Sequence, residues 1–132
     1  MSDQPAPPPI HMLNVLQDLC LLLSRDPLTV AEVKHSLASL PLHATVEREP
    51  GSTAPAFVRF ALPDSVRLTL DDLQSTFGPA RQLPGLHRGA PLEYLISVDR
   101  LGAPYTCALL IEAYADAPFV EAVTVRRDIR LT

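Results

Sequence analysis

Asp71 and Asp72 stand side by side, and a carboxylate pair is the first thing in this chain that suggests acid–base chemistry. Adjacent positions on a helix diverge by about a third of a turn, so the two side chains do not converge on one substrate atom. Capping and the positive end of the helix dipole account for both of them. Four histidines, His11, His35, His43 and His87, are scattered over the chain without a metal-ligand spacing. Ser24, Ser65 and Ser97 lack the neighbours that would activate a hydroxyl, and no phosphate loop or nucleophile elbow is present. Glu112 is the least ordinary candidate, because it interrupts an apolar run between Ile111 and Ala113. A carboxylate there is expected to be paired, with Arg126 as one candidate across the ladder, or exposed on an open face. These residues define no catalytic, cofactor-binding or metal-ligating set, and no cofactor is expected.

Composition narrows the class. The chain has 132 residues, 47% of them hydrophobic, which suits one folded domain with a real core. The formal net charge of −4 gives no electrostatic reason to expect nucleic acid or an anionic membrane as partner. Arg126, Arg127 and Arg130 form the one basic cluster, and beside Asp128 they read as a solvated strand face. Cys20 and Cys107 both fall in apolar runs, as buried reduced thiols do. Residues 1–9 are Pro-rich and lack a basic region before an apolar stretch, so a disordered tail is expected rather than a secretory signal. Residues 12–23 are too few to cross a bilayer. A cytoplasmic protein is the resulting expectation.

The elements that must carry any site are written more clearly. Thr69 is a candidate N-cap with Asp72 at the third helical position, and Leu68 with Leu73 forms a hydrophobic staple. Gly78 and Pro79 end that helix. Forty residues upstream Leu28, Thr29, Glu32 and Val33 repeat the design, with Val30, Val33 and Leu37 at the positions of Leu70, Leu73 and Phe77. Here Glu32 is expected to make the better capping box, because Glu reaches further than Asp. The spacing suggests a tandem repeat over 28–62 and 68–131. Residues 10–24 form a first helix that is apolar around most of its circumference and must be covered on several sides.

Alternation predicts the strands. Leu42, Ala44 and Val46 oppose His43, Thr45 and Glu47, and a turn at 50–53 leads to a return strand at 56–62. Residues 81–91 read as a loop or a poor strand. Further strands begin at Leu92, at Tyr105 and near Val123, with a turn at 99–102 between the first two. The stretch 105–114 is apolar on both sides, which places it centrally. The fold class is α+β: an antiparallel meander with two or three helices on one face, all within 10–132. If Tyr94, Ile96, Leu109, Ile111, Val123 and Val125 face the helices, the other face carries Phe57, Arg59, Leu95, Leu110, Glu112, Tyr114 and Arg126.

A capped helix, Phe77-Gly78-Pro79, a loop and a three-stranded meander together resemble one repeat of the β-lactamase-inhibitor-protein-like fold, shared with small outer-membrane assembly lipoproteins. The resemblance covers residues 68–81 and the strands through Arg130, with 28–62 as a shorter copy. It implies a sheet whose free concave face binds another protein. The chain departs from that group in having no lipid-anchor cysteine near its start and no tryptophan.

The expected function is therefore a non-enzymatic protein-binding domain of the inhibitor, immunity, chaperone or assembly-factor type. Its contact residues would be Phe57, Arg59, Leu95, Leu110, Glu112, Tyr114 and Arg126, a mixture of apolar, aromatic and charged groups that suits an interface. The alternative is a small-molecule-binding or enzymatic domain with a pocket between helices and sheet, near His87, Glu112 and Tyr94. A homodimer through the first helix or the open face is compatible with both.

Overall fold

The computed structural model describes residues 9–40, 42–85, 91–98 and 104–129. The Pro-rich tail up to residue 8, His87, the 99–102 turn, Arg130 and Leu131 lie outside the described residues. Among the described residues, three helices and six strands follow in the order α1 (Pro9–Leu23), α2 (Val30–Leu37), β1 (His43–Arg48), β2 (Pro55–Ala61), α3 (Leu70–Phe77), β3 (Arg81–Gln82), β4 (Leu92–Val98), β5 (Tyr105–Ala113) and β6 (Ala122–Ile129). The strands form one sheet in the order β1-β2-β6-β5-β4-β3, with every neighbouring pair antiparallel. A hairpin, β1-β2, and a four-stranded meander, β3 to β6, therefore meet where β2 pairs with β6, and α3 carries the chain from one to the other.

Period-two alternation decides the faces. Val58, Phe60, Ile96, Leu109, Ile111, Val123 and Val125 are buried on one side, where they meet Met12, Leu16, Leu19, Cys20 and Leu23 of α1. Those α1 positions recur at helical spacing, so one stripe of the helix enters the core. Leu13, Val15 and Leu22 are partly covered, and Leu21 stands well exposed at 43%. The domain thus wraps the helix itself. The staple residues Leu28, Val33, Leu68 and Leu73 are all buried and pin α2 and α3 to the same core.

Both N-caps form, but their ranking is reversed. Thr69 Oγ1 accepts from the Asp72 amide at 3.1 Å, and Asp72 Oδ2 accepts from the Thr69 amide at 3.1 Å, completing the box. At α2, Thr29 Oγ1 accepts from the Glu32 amide at 3.2 Å, but the Glu32 carboxylate accepts from the Thr29 hydroxyl instead of the cap amide. The longer Glu side chain folds onto the hydroxyl and leaves the reciprocal bond unmade. Beyond α3, Gly78 adopts φ 117° and ψ −179°, a region essentially reserved for glycine.

One residue corrects the reading of the basic cluster. Arg126 and Arg127 are adjacent on a strand and must point to opposite faces. Arg126 is exposed, whereas Arg127 follows Val123 and Val125 into the helix side and is 5% exposed. Its Nε donates to Leu23 O at 2.8 Å and its Nη2 donates to Arg25 O, so it satisfies carbonyls at and just beyond the C-terminal end of α1. The guanidinium stacks over the Tyr105 ring, 3.5 Å from its centroid, and lies 3.9 Å from Asp26 Oδ1. Its Nη1 is buried with no hydrogen-bond partner among the described residues. Cys107, next to it on the same side, donates its thiol to Cys20 O at 3.4 Å. Cys20 and Cys107 are buried and not joined by a disulfide.

Two stability predictions follow from these contacts. Arg127→Ala should lower unfolding free energy by about 2–4 kcal/mol in urea titrations, since it strands buried carbonyls and removes the stacking. Arg127→Lys, with no fork to span two carbonyls, should recover less than half of that loss. Thr69→Ala should cost about 1–2 kcal/mol and Thr29→Ala less, because only the first dismantles a reciprocal box. Equal losses in the two cap variants would contradict that geometry.

Candidate functional site

The face opposite the helices is left uncovered by all three of them. Its centre is built by directly opposed residues in register: Phe57 beside Arg126 and Ala108, then Arg59 beside Thr124, Leu110 and Leu95. A third row sets Ala61 beside Ala122, Glu112 and Glu93. Phe57, Arg59, Glu93, Leu95, Ala108, Leu110, Glu112, Thr124 and Arg126 line a shallow depression of about 370 Å³. Phe57, Leu95 and Leu110 are each half-buried on its floor, and small Ala108 opens the space between them. Six of the seven contact residues expected from sequence thus come together here. Tyr114 does not join the lining; it follows the end of β5 and is 40% exposed.

The charges on this face are largely neutralised within it. Glu112 is paired with Arg59, not with Arg126: Arg59 Nη2 donates to Glu112 Oε2 at 3.2 Å and Nε to the same oxygen at 3.3 Å. The two reach diagonally over β6, where small side chains at Ala122 and Thr124 leave the path clear. Arg126 instead lies along its own strand and donates to Asp128, with Nε 3.0 Å from Oδ1. Glu93 was not singled out from sequence, yet it lines the depression directly opposite Glu112 across the β4–β5 pair. No salt bridge or hydrogen bond to its carboxylate is present among the described residues. Only strand register could have pointed to it.

The pocket suggested by Tyr94 and Glu112 does not form, because the two occupy opposite faces of the sheet. Tyr94 packs against the core and its strand partner Ile111 is buried beside it, while Glu112 looks away. One space on the helix side is a groove of about 320 Å³ between α1 and α2, lined by Val15, Leu19, Leu22, Leu37 and Leu40 with Asp18 and Ser36. Among the described residues, no group of three or more His, Cys, Asp or Glu could hold a metal ion. None of their helices is long and apolar enough to cross a membrane.

Comparison with family models, with curated proteins and with solved structures returned no match.

The pairing on the open face gives a direct test. Arg59 and Glu112 are part-exposed, with side chains 44% and 22% accessible, so Arg59→Ala should change stability by less than about 1 kcal/mol. Glu93→Gln removes a like charge directly opposite Glu112 and should stabilise the domain by about 0.2–1 kcal/mol. A destabilised Glu93→Gln variant in the same denaturation series would show that the two carboxylates do not repel.

Proposed function

We propose that this chain is a protein-binding domain that engages its partner through the open face of the sheet. The observation that carries the reading is the depression itself. An apolar floor of Phe57, Leu95 and Leu110 is framed by Arg59, Glu112, Arg126 and Glu93 on a face that no helix covers. Apolar and aromatic anchors in a concave centre, with charges at the rim, match the anatomy of a protein interface. Burial of the floor supplies affinity, and the rim charges set register and reject mismatched partners. Tyr114, beyond the end of β5, extends the contact at one margin. No step of this reading needs a cofactor or a metal.

The test is capture from the native host with the purified domain as bait. A partner bound through this face is retained by wild type and by Leu21→Ala, which alters the exposed side of α1. It is lost when Phe57→Ala is combined with Arg126→Glu, while the melting temperature stays within a few degrees of wild type. A partner that survives the double substitution, or one that Leu21→Ala releases, places the interface elsewhere.

A further inference from the structure

The sheet has two edges, and they are not equally protected. At one edge β3 is only Arg81–Gln82, a two-residue strand followed closely by Pro84, which blunts that side. At the other edge β1 runs from His43 to Arg48 and, among the described residues, pairs on one side alone, with β2. Its register is regular from His43 to Glu47, and the bulge falls only between Glu47 and Arg48. No Pro or Lys interrupts the regular run. An unpaired ladder of this length is a template for another strand.

The run is self-complementary. Thr45 is its centre. If a second copy pairs antiparallel about Thr45, His43 stands opposite Glu47 of the other copy, and Ala44 stands opposite Val46. Directly opposed residues share a face, so both His43–Glu47 pairs fall on the open side, where both residues are exposed. Both Ala44–Val46 pairs fall on the core side, where Ala44 and Val46 are only partly buried and pack against the core. Beside this edge a groove of about 520 Å³ lies between α2 and β1, lined by Val30, Ala31, Lys34, Val46 and Glu47 among others. The groove keeps the flank of Val46 uncovered within one chain. A shift of one residue would set His43 opposite Val46 or Glu47 opposite Ala44 and would turn the core side of one copy to the open side of the other, so the register centred on Thr45 is favoured over both.

We infer that the β1 edge is the self-association surface of this protein, joining two copies into one continuous antiparallel sheet. The two-fold axis passes through the Thr45 pair, at right angles to the sheet. All helices then remain on one side and both open faces on the other, so the dimer presents two depressions side by side. The inference is independent of what occupies those depressions.

Charge exchange tests it, because both residues are exposed and their substitution leaves the core untouched. Sedimentation equilibrium of the full chain should show a reversible monomer–dimer equilibrium. His43→Glu should weaken dimerisation about tenfold, since it sets two carboxylate pairs opposite each other, and Glu47→Lys should weaken it too, since it removes the acceptor that faces His43 in both pairs. The double variant His43→Glu with Glu47→Lys restores opposite charges and should return to within about threefold of wild type. His43→Lys, with a permanent charge facing Glu47, should tighten the dimer. Circular dichroism of each variant at low concentration confirms that the monomer is folded. A wild-type chain that sediments as a monomer at every concentration overturns the inference, as does a dimer whose affinity ignores these charges.

Discussion

The buried guanidinium of Arg127 is the contact on which the arrangement of layers turns. It reaches from β6 to the carbonyls of Leu23 and Arg25, and the face of Tyr105 covers it. A helix end buried without partners for its last carbonyls is costly, and here a strand supplies the donors. The same contact fixes which side of the sheet α1 occupies. With α1 held against β5 and β6 on the side of Val125 and Leu109, the opposite side of those central strands is left without a cover.

That asymmetry explains the character of the open face. Central strands of a sheet covered on both sides would be apolar on both faces throughout. β5 keeps Leu110 and Ala108 on its open side but interrupts them with Glu112, and β6 carries Thr124 and Arg126 there. Arg59 neutralises Glu112, and Asp128 neutralises Arg126, so the surface tolerates water without a partner and presents little net field. Glu93 is the exception, a carboxylate opposite another carboxylate and without a cation of its own among the described residues. Such a position is intrinsically unfavourable and makes the rim locally acidic.

Much of the secondary structure was legible from local chemistry. Thr69 and Thr29 mark helix starts, Leu68–Leu73 and Leu28–Val33 staple them, and Gly78 ends one of them. Alternation in β2, β4, β5 and β6 sorted core residues from open-face residues, so that Phe57, Arg59, Leu95, Leu110, Glu112 and Arg126 group on one face by period alone. The errors concern side-chain partners. Glu32 is chemically the better box residue, yet Asp72 makes the reciprocal bond, because the Glu32 carboxylate takes the Thr29 hydroxyl as its donor and the Asp72 carboxylate takes the cap amide. Arg126 is not the partner of Glu112 because the register sets it opposite Ala108, two rows away, while Arg59 reaches diagonally past Ala122 and Thr124. Arg127 looked solvated because its neighbours in sequence are charged, although its period-two relation to Val123 and Val125 already pointed inward.

By itself, then, the sequence determined where the capped helices start, roughly where the longer strands lie and which residues share a face, since capping and alternation act over a few residues. Only tertiary structure decided that α1 lies on the core side rather than over the open face, and that β2 pairs with β6. It also decided that Glu93 opposes Glu112. These are contacts between segments far apart in the chain, and their free energies depend on which buried groups find donors and which surfaces find cover. No short window of residues carries that information.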